Sequence, residues 1–434
     1  MQPSLQGIAQ KARRRKGYRF RDLYRMLNEE MLREAWKAIN KRASAGVDRV
    51  TAEEYGRGLE KHISEVVDSL KGKRYRAKLV RRVNIPKGDG KTRPLGIPVV
   101  SDKLVQMAVS WILMAIYEQD FMGCSYGYRP RVGAKDAVRD LTKELQFGRY
   151  NYVVEADIRG YFDSIDHEWL LKMLEQRIDD RACIGLIRKW LEAGILETDG
   201  KVVHPVTGTP QGGVVSPVLA NIYLHYVLDL WFEKVVKPRF EGMAYQCRYA
   251  DDFVCAFQYK REAEGFYRVL KARLRKFGLE LSEEKTNIIP FGRYRKEEKA
   301  WFEFLGFEFR WGISRNGKDI VKRRTSREKL RKSLKSFNIW CQRVRGLRLR
   351  RIIELLNVKL RGYNNYYGVI GNYGSLDEFF YQVRRILFKW LNRRSQKRSY
   401  NWEKFDRMLK IYRLEPPRIV ERWTNQMNLG FRFA

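Results

Sequence analysis

Residues 246–257 read Gln246-Cys247-Arg248-Tyr249-Ala250-Asp251-Asp252-Phe253-Val254-Cys255-Ala256-Phe257, two β-type runs separated by a pair of adjacent acids. A hairpin is the natural geometry, with Gln246 to Tyr249 and Phe253 to Phe257 as its arms. Neighbouring carboxylates repel, and packing or hydrogen bonding alone gives little reason to set two of them at a strand junction. A divalent cation gives one, because carboxylate and carbonyl oxygens suit Mg²⁺. Taken in isolation, Asp-Asp reads equally as a polar turn that merely breaks the strands.

A second strand-borne acid decides between these readings. Tyr152-Val153-Val154-Glu155-Ala156-Asp157 is another β-type run, ending in Asp157 and followed by Ile158 and then Phe162. Nucleotidyl transfer needs two metal ions roughly 3.5–4 Å apart, one activating the attacking 3′-hydroxyl and the other holding the triphosphate. Asp157, Asp251 and Asp252 can supply that clamp. Glu155 and Asp163 are left out, since alternation along a strand cannot turn every acid to one face. Asp166 can cap the helical stretch His167 to Arg177, where Leu170, Leu171 and Leu174 recur at helical spacing.

Outward from these acids, Arg81 to Phe309 alternates short β-type runs with helices, an α+β core. Residues 1 to about 75 read as basic amphipathic helices, with the run Lys11-Ala12-Arg13-Arg14-Arg15-Lys16 and a turn at Gly46-Val47-Asp48 before Thr51. From Arg315 onward strands largely disappear, and 31 Lys and Arg outnumber 9 Asp and Glu. One helix there should bury Leu330, Leu334, Phe337 and Val344 and leave Lys332, Lys335, Arg343 and Arg345 outside.

The whole chain of 434 residues carries 87 Lys and Arg against 51 Asp and Glu, a net charge of +36 that attracts polyanions. Nucleic acid is the expected partner. A membrane is not, because the longest apolar run, Leu104 to Tyr117, is interrupted by Gln106 and Ser110 and is short for a bilayer. Five cysteines without C-x-x-C spacing argue against a disulfide framework, and four scattered histidines against a zinc ribbon or a His-based nuclease. No charged and then apolar leader opens the sequence, so a cytoplasmic protein is expected.

Asp157 with Phe162, followed by Tyr249-Ala250-Asp251-Asp252, resembles the two catalytic motifs of right-hand reverse transcriptases. The ordered series around them is more specific. Ile85-Pro86-Lys87-Gly88-Asp89-Gly90-Lys91-Thr92-Arg93-Pro94-Leu95-Gly96-Ile97-Pro98 is similar to the family's fingers motif, and Ser125-Tyr126-Gly127-Tyr128-Arg129-Pro130 to its next block. Gly208-Thr209-Pro210-Gln211-Gly212-Gly213-Val214-Val215-Ser216-Pro217 follows in place, then Gly278 to Thr286 and Phe304-Leu305-Gly306-Phe307. The Gln-Gly-Gly block, the basic N-terminal region and Arg361-Gly362-Tyr363-Asn364-Asn365-Tyr366-Tyr367 look like the group II intron-encoded branch, reverse transcriptase and maturase in one chain.

The resemblance implies a right-hand polymerase of fingers, palm and helical thumb. Its expected parts are a basic helical extension with the start of the fingers (1–75), fingers and palm (76–309), and a basic thumb or maturase domain (310–434). Asp157, Asp251 and Asp252 become the catalytic acids, with the Ile158 carbonyl completing a metal shell for two Mg²⁺ ions and Mn²⁺ as a substitute. Lys87 and Arg93 would meet the dNTP triphosphate, Gln211 and Gly212 would lie along the nucleotide, and Lys285 would face the departing pyrophosphate. Phe162 would exclude the ribose 2′-hydroxyl, the group that separates the two sugars. Arg13, Arg14, Arg15, Arg129, Arg361, Tyr363, Arg393 and Arg394 are candidates for RNA contact.

The implied partners are an RNA template, an RNA or DNA primer duplex, dNTPs, structured group II intron RNA and target DNA, in a nucleoid-associated ribonucleoprotein. No Cys pairs or His-Asn-His pattern follow the thumb, so the DNA endonuclease domain of many relatives is not expected, and mobility would use existing DNA ends. Two other readings stand beside this one. A splicing factor with a dead palm is opposed by the intact acids, and a relative recruited to phage defence or CRISPR spacer acquisition would be told apart by its genomic neighbourhood.

Overall fold

The computed structural model describes residues 3–88, 91–294, 300–314, 316–394 and 399–421, and the side chains of residues 3, 87, 88 and 91 lie outside that description. They divide into two compact units, 1–133 with 156–288 and 134–155 with 289–434.

The first unit opens with α1 (Pro3–Arg14), α2 (Glu29–Ala38), α3 (Ala52–Arg57) and α4 (Leu59–Lys71). Local chemistry sets their starts. Asn28 accepts a hydrogen bond from the Met31 amide at α2, and Thr51 with Glu54 forms a reciprocal capping box at α3, just past the Gly46 turn. Strands β1 (Val80–Gly88) and β2 (Lys91–Ile97) form an antiparallel hairpin that pairs Ile85 with Arg93.

Helix α5 (Val100–Tyr117) begins four residues before the apolar run and is long and apolar enough to cross a membrane by length and composition. At 18 residues, α5 is not too short for a bilayer, as the run from Leu104 had suggested. The helix is nevertheless 78% buried, and Leu104, Val105, Ala108, Val109, Ile112 and Leu113 are fully withdrawn, as in the core helix of a globular unit.

After α6 (Ala134–Phe147) comes β3 (Tyr152–Asp157), which straddles the division and brings Ala156 and Asp157 into the first unit. That unit continues with α7 (His167–Glu175), capped by Asp166 as expected, α8 (Arg181–Leu191), and the short strands β4 (Ile195–Leu196) and β5 (Val202–Val203). Helix α9 (Ser216–Leu224), β6 (Ala244–Tyr249), β7 (Asp252–Phe257) and α10 (Lys260–Lys276) complete it. One sheet has the order β2-β1-β4-β5; a second has the order β6-β7-β3-β8, where β8 is Asn287–Pro290.

The second unit adds β9 (Trp301–Phe304), β10 (Phe307–Ile313), β11 (Asp319–Thr325), α11 (Arg327–Val344), α12 (Leu349–Tyr367), α13 (Tyr373–Leu391) and α14 (Trp402–Ile411). Leu330, Leu334, Phe337 and Val344 do pack on one side of α11, against Ile352, Leu356, Val383 and Leu387. Strand β11 lies where strands were expected to have largely gone, and β10 crosses residue 310, the expected start of the thumb. The reason is visible in β11 itself: Val321, Arg323 and Thr325 face inward, and only one of the three is apolar. Arg323 is paired with Glu421 at 2.8 Å and donates to the Ile370 carbonyl. A strand whose buried face holds an ion pair has no apolar alternation to read.

Candidate active site

The β6–β7 register pairs Tyr249 with Asp252, so Ala250 and Asp251 form the two-residue turn of the hairpin. Ala250 sits at φ +57°, a left-handed conformation uncommon for a residue with a Cβ. Neighbouring groups hold it there. The Arg248 guanidinium, fully buried, donates to the Ala250 carbonyl at 2.9 Å, to Asp229 at 2.8 and 2.5 Å, to Asn221 at 3.1 Å and to Ser125 at 2.7 Å. Asp229 belongs to the π-helical stretch His225–Asp229 that continues α9, an irregularity frequent at functional sites. Gly127 abuts the turn so closely that a Cβ there would collide with the Ala250 amide nitrogen, and Asn221 fixes it by donating to the Gly127 carbonyl at 2.5 Å.

Asp157 ends β3. Just beyond it, Ile158 bridges Leu281: the Asp157 carbonyl accepts from the Ser282 amide and the Arg159 amide donates to Glu280. In such a non-hydrogen-bonded pair the carbonyl of Ile158 itself is directed away from Leu281, as a metal donor there requires. The Lys285 ammonium donates to Asp157 Oδ2 at 2.5 Å. That bond raises the Lys285 pKa, and the charges of Asp157, Asp251 and Asp252 add to it. Burial pushes the Asp251 carboxyl above the ordinary aspartate value and the charge of Asp157 pushes it further, against a backbone hydrogen bond, Arg93 and Lys285.

The Lys285 ammonium is thus bonded to Asp157 and feels the charges of Asp251 and Asp252. Among the described residues, no three Asp, Glu, His or Cys side chains gather as tightly as a closed metal cage. The charge of Asp157 reaches Asp251. Two carboxylates and a backbone carbonyl are hard oxygen donors, a set that fits a divalent cation of the magnesium type.

On the nucleotide side the sequence-predicted residues also meet. Arg93 Nε donates to Gln211 Oε1 at 2.8 Å, and the Gln211 carbonyl accepts from the Gly96 amide at 2.6 Å. Gly212, at φ +120°, lies so near β2 that a Cβ would stand 2.5 Å from the Gly96 carbonyl oxygen, so only glycine fits. The same loop reaches Phe162, whose carbonyl accepts from the Thr209 amide at 2.8 Å. Lys87 lies on β1, but its side chain is outside the described residues.

A profile of the reverse transcriptase (RNA-dependent DNA polymerase) family matches residues 85–309, more than half of the chain. The chain belongs to the reverse transcriptase family. The group II intron-encoded protein LtrA of Lactococcus lactis subsp. cremoris is 32% identical over 414 residues, covering 76% of this chain and 67% of LtrA. Protein YkfC of Escherichia coli K12 is 32% identical over 69% of this chain and 85% of its own length. A 91 kDa protein in the cob intron of Schizosaccharomyces pombe is 29% identical over 74% of this chain and 47% of its own.

The reverse transcriptase has the α+β polymerase fold expected of it and is an RNA-directed DNA polymerase, with the divalent-metal dependence of its family. Its candidate RNA contacts divide in two. Arg13, Arg14, Arg15, Arg393 and Arg394 are exposed, Arg393 beside the Trp390 ring and Arg394 donating to the Leu347 carbonyl. Arg361 is exposed and lies 3.7 Å from Glu415.

Arg129 and Tyr363 are corrections. Arg129 points inward onto Glu118, at 2.6 Å, and the Met122 and Ser125 carbonyls, so its guanidinium is already engaged within the fold. Tyr363 stacks on Phe379 with ring centroids 3.7 Å apart and packs on the helical core, which leaves its face no room for a base. Sequence reasoning missed the Arg248–Asp229 pair. Arg248 adjoins the catalytic acids in sequence, which was a usable signal; Asp229 gave none.

Proposed function

We propose that this reverse transcriptase copies an RNA template into DNA at Asp157, Asp251 and Asp252 with Mg²⁺, and binds structured group II intron RNA to assist its splicing and movement into target DNA. The observation that carries the catalytic part is the Lys285 ammonium on Asp157 at 2.5 Å, together with the hairpin turn that presents Asp251 and is held by buried Arg248. Divalent ions, when bound, would ease loss of the primer 3′-hydroxyl proton and offset charge on the leaving pyrophosphate. The protein's own groups do the rest. Asp157, Asp251 and the Ile158 carbonyl would hold the cations; Arg93, oriented by Gln211, meets the triphosphate; Lys285 offers a proton and charge to the leaving group.

The intron role is supported by the names of relatives, LtrA among them, and by a surplus of basic residues after Arg315 suited to a polyanion. All five cysteines are free, which accords with a reducing cytoplasm. The test is primer extension on RNA with dNTPs beside a binding assay for intron RNA. The double variant Asp251→Ala, Asp252→Ala should abolish extension and keep RNA binding; extension that persists removes the catalytic assignment.

A further inference from the structure

We infer that α13 and α14 form a pocket for one unpaired RNA nucleotide, its base stacked on Trp402 and its phosphate on Arg385. The inference rests on the RNA-binding reading above and deepens it, naming a site and the form of RNA that site takes.

Helical spacing puts Tyr381, Arg384, Arg385 and Phe388 on one face of α13. Phe388 stacks on Trp402, the first residue of α14, with ring centroids 4.1 Å apart and planes 6° apart. Phe405 stands nearly perpendicular to both rings, 5.3 Å from Phe388 and 5.7 Å from Trp402, so it closes the side of the stack. The second face of the indole stays open, and Trp402 is 45% exposed. Tyr381 is 54% exposed, with the Arg385 guanidinium 5.7 Å from its ring centroid. Together with Arg384 these residues line a cavity of about 480 Å³, room enough for a single nucleotide.

Core packing accounts for Phe388 and Phe405, but not for two large rings and an arginine held in the open around a cavity. Arg384 is tied to Asp406 and so fastens α13 to α14. Arg385 has no carboxylate partner among the described residues, which leaves its charge for a ligand. The surplus of 31 Lys and Arg over 9 Asp and Glu from Arg315 onward makes that ligand a polyanion. An indole backed by a second ring is already oriented, and a π-face accepts any base. A base inside a duplex is covered on both sides by its neighbours; only an unpaired, splayed-out base can offer its face to Trp402.

The test uses the full chain and two RNA hairpins of equal length and charge, one with a single bulged adenosine and the other abasic at that position. In anisotropy titrations the parent should bind the adenosine hairpin about tenfold more tightly, the contribution of one stacked base. Trp402→Phe should keep most of that preference, and Trp402→Ala should bring the adenosine hairpin down to the abasic one. Arg385→Ala should weaken both hairpins alike and lower the slope of log affinity against log salt by about one. Because Trp402 also covers Phe388, each variant is melted, and the parent is irradiated with the hairpin carrying 5-iodouridine at the bulge. The crosslink should fall on the peptide that contains Trp402, and it decides alone if Trp402→Ala does not fold.

The inference is overturned if the parent binds the two hairpins equally, if the preference survives in a folded Trp402→Ala, or if the crosslink falls elsewhere. A parent that binds neither hairpin would instead refute the RNA-binding reading, a failure visible before any variant is made.

Discussion

Arg248 and Asp229 form an ion pair with no exposed side-chain surface on either partner, Nη2 standing 2.5 Å and Nε 2.8 Å from the two carboxylate oxygens. The pair lies directly behind the turn that carries Asp251, and Arg248 spends another donor on the Ala250 carbonyl. Removing one partner strands a buried charge, which costs about 3–5 kcal/mol. Asp229→Ala should therefore melt far below the parent. Replacing both partners, as in Arg248→Met with Asp229→Leu, should recover much of that stability. It should not recover polymerisation, because the Ala250 carbonyl then loses the guanidinium that anchors its left-handed turn. Thermal melts paired with primer extension check both parts, and full activity in a stable double variant would show that the clamp is dispensable.

Asp251 gives a prediction in pH. Its carboxyl is held above the ordinary aspartate value, first by burial. A group whose folded pKa is raised binds its proton more tightly folded than unfolded. Its stabilising contribution is whole below the unfolded value, about 3.9, and is lost as pH rises through the folded value. Asp251→Asn, which never ionises, should therefore melt above the parent at pH 8 without divalent ions, and this gain should shrink toward pH 4. Polymerisation should be lost in the same variant. A parent that melts higher than Asp251→Asn at pH 8 would contradict the burial penalty.

What could be read from the sequence follows the chemistry of each element. The hairpin at Asp251, the strand ending at Asp157 and the Asp166 cap were legible because alternation, paired acids and capping are local signals. Strand β11 was not, since Arg323 is buried against Glu421, 98 residues away. Arg129 looked like an RNA contact for the complementary reason: a basic residue in an exposed-looking block gives no local sign that Glu118 awaits it. Long-range partners turn polar residues inward, and spacing along the chain does not encode them.

Gly212 tests the joint between the Gln211 loop and β2. Its φ of +120° and a Cβ position 2.5 Å from the Gly96 carbonyl oxygen mean that Gly212→Ala must displace one backbone or the other. The strain should cost about 1–3 kcal/mol. Because Gln211 also orients Arg93, the KM for dNTP should rise more than the affinity for primer–template falls. Steady-state kinetics beside a template-binding assay separate the two, and an unchanged KM would detach this loop from the nucleotide.

The exposed arginines are distinguished from the buried one by salt. Arg13, Arg14 and Arg15 are open to solvent at the end of α1, so each can release counterions from a phosphate, whereas Arg129 is bound to Glu118. Replacing all three by Ala should weaken RNA binding and flatten the plot of log affinity against log salt by up to about one unit per residue. Arg129→Ala should behave differently: it strands the Glu118 carboxylate and the Met122 and Ser125 carbonyls, so the melting temperature should fall while the salt slope stays that of the parent. RNA titrations over a series of salt concentrations, each with a melt, measure both. A shallower slope for Arg129→Ala without loss of stability would return that residue to the RNA surface.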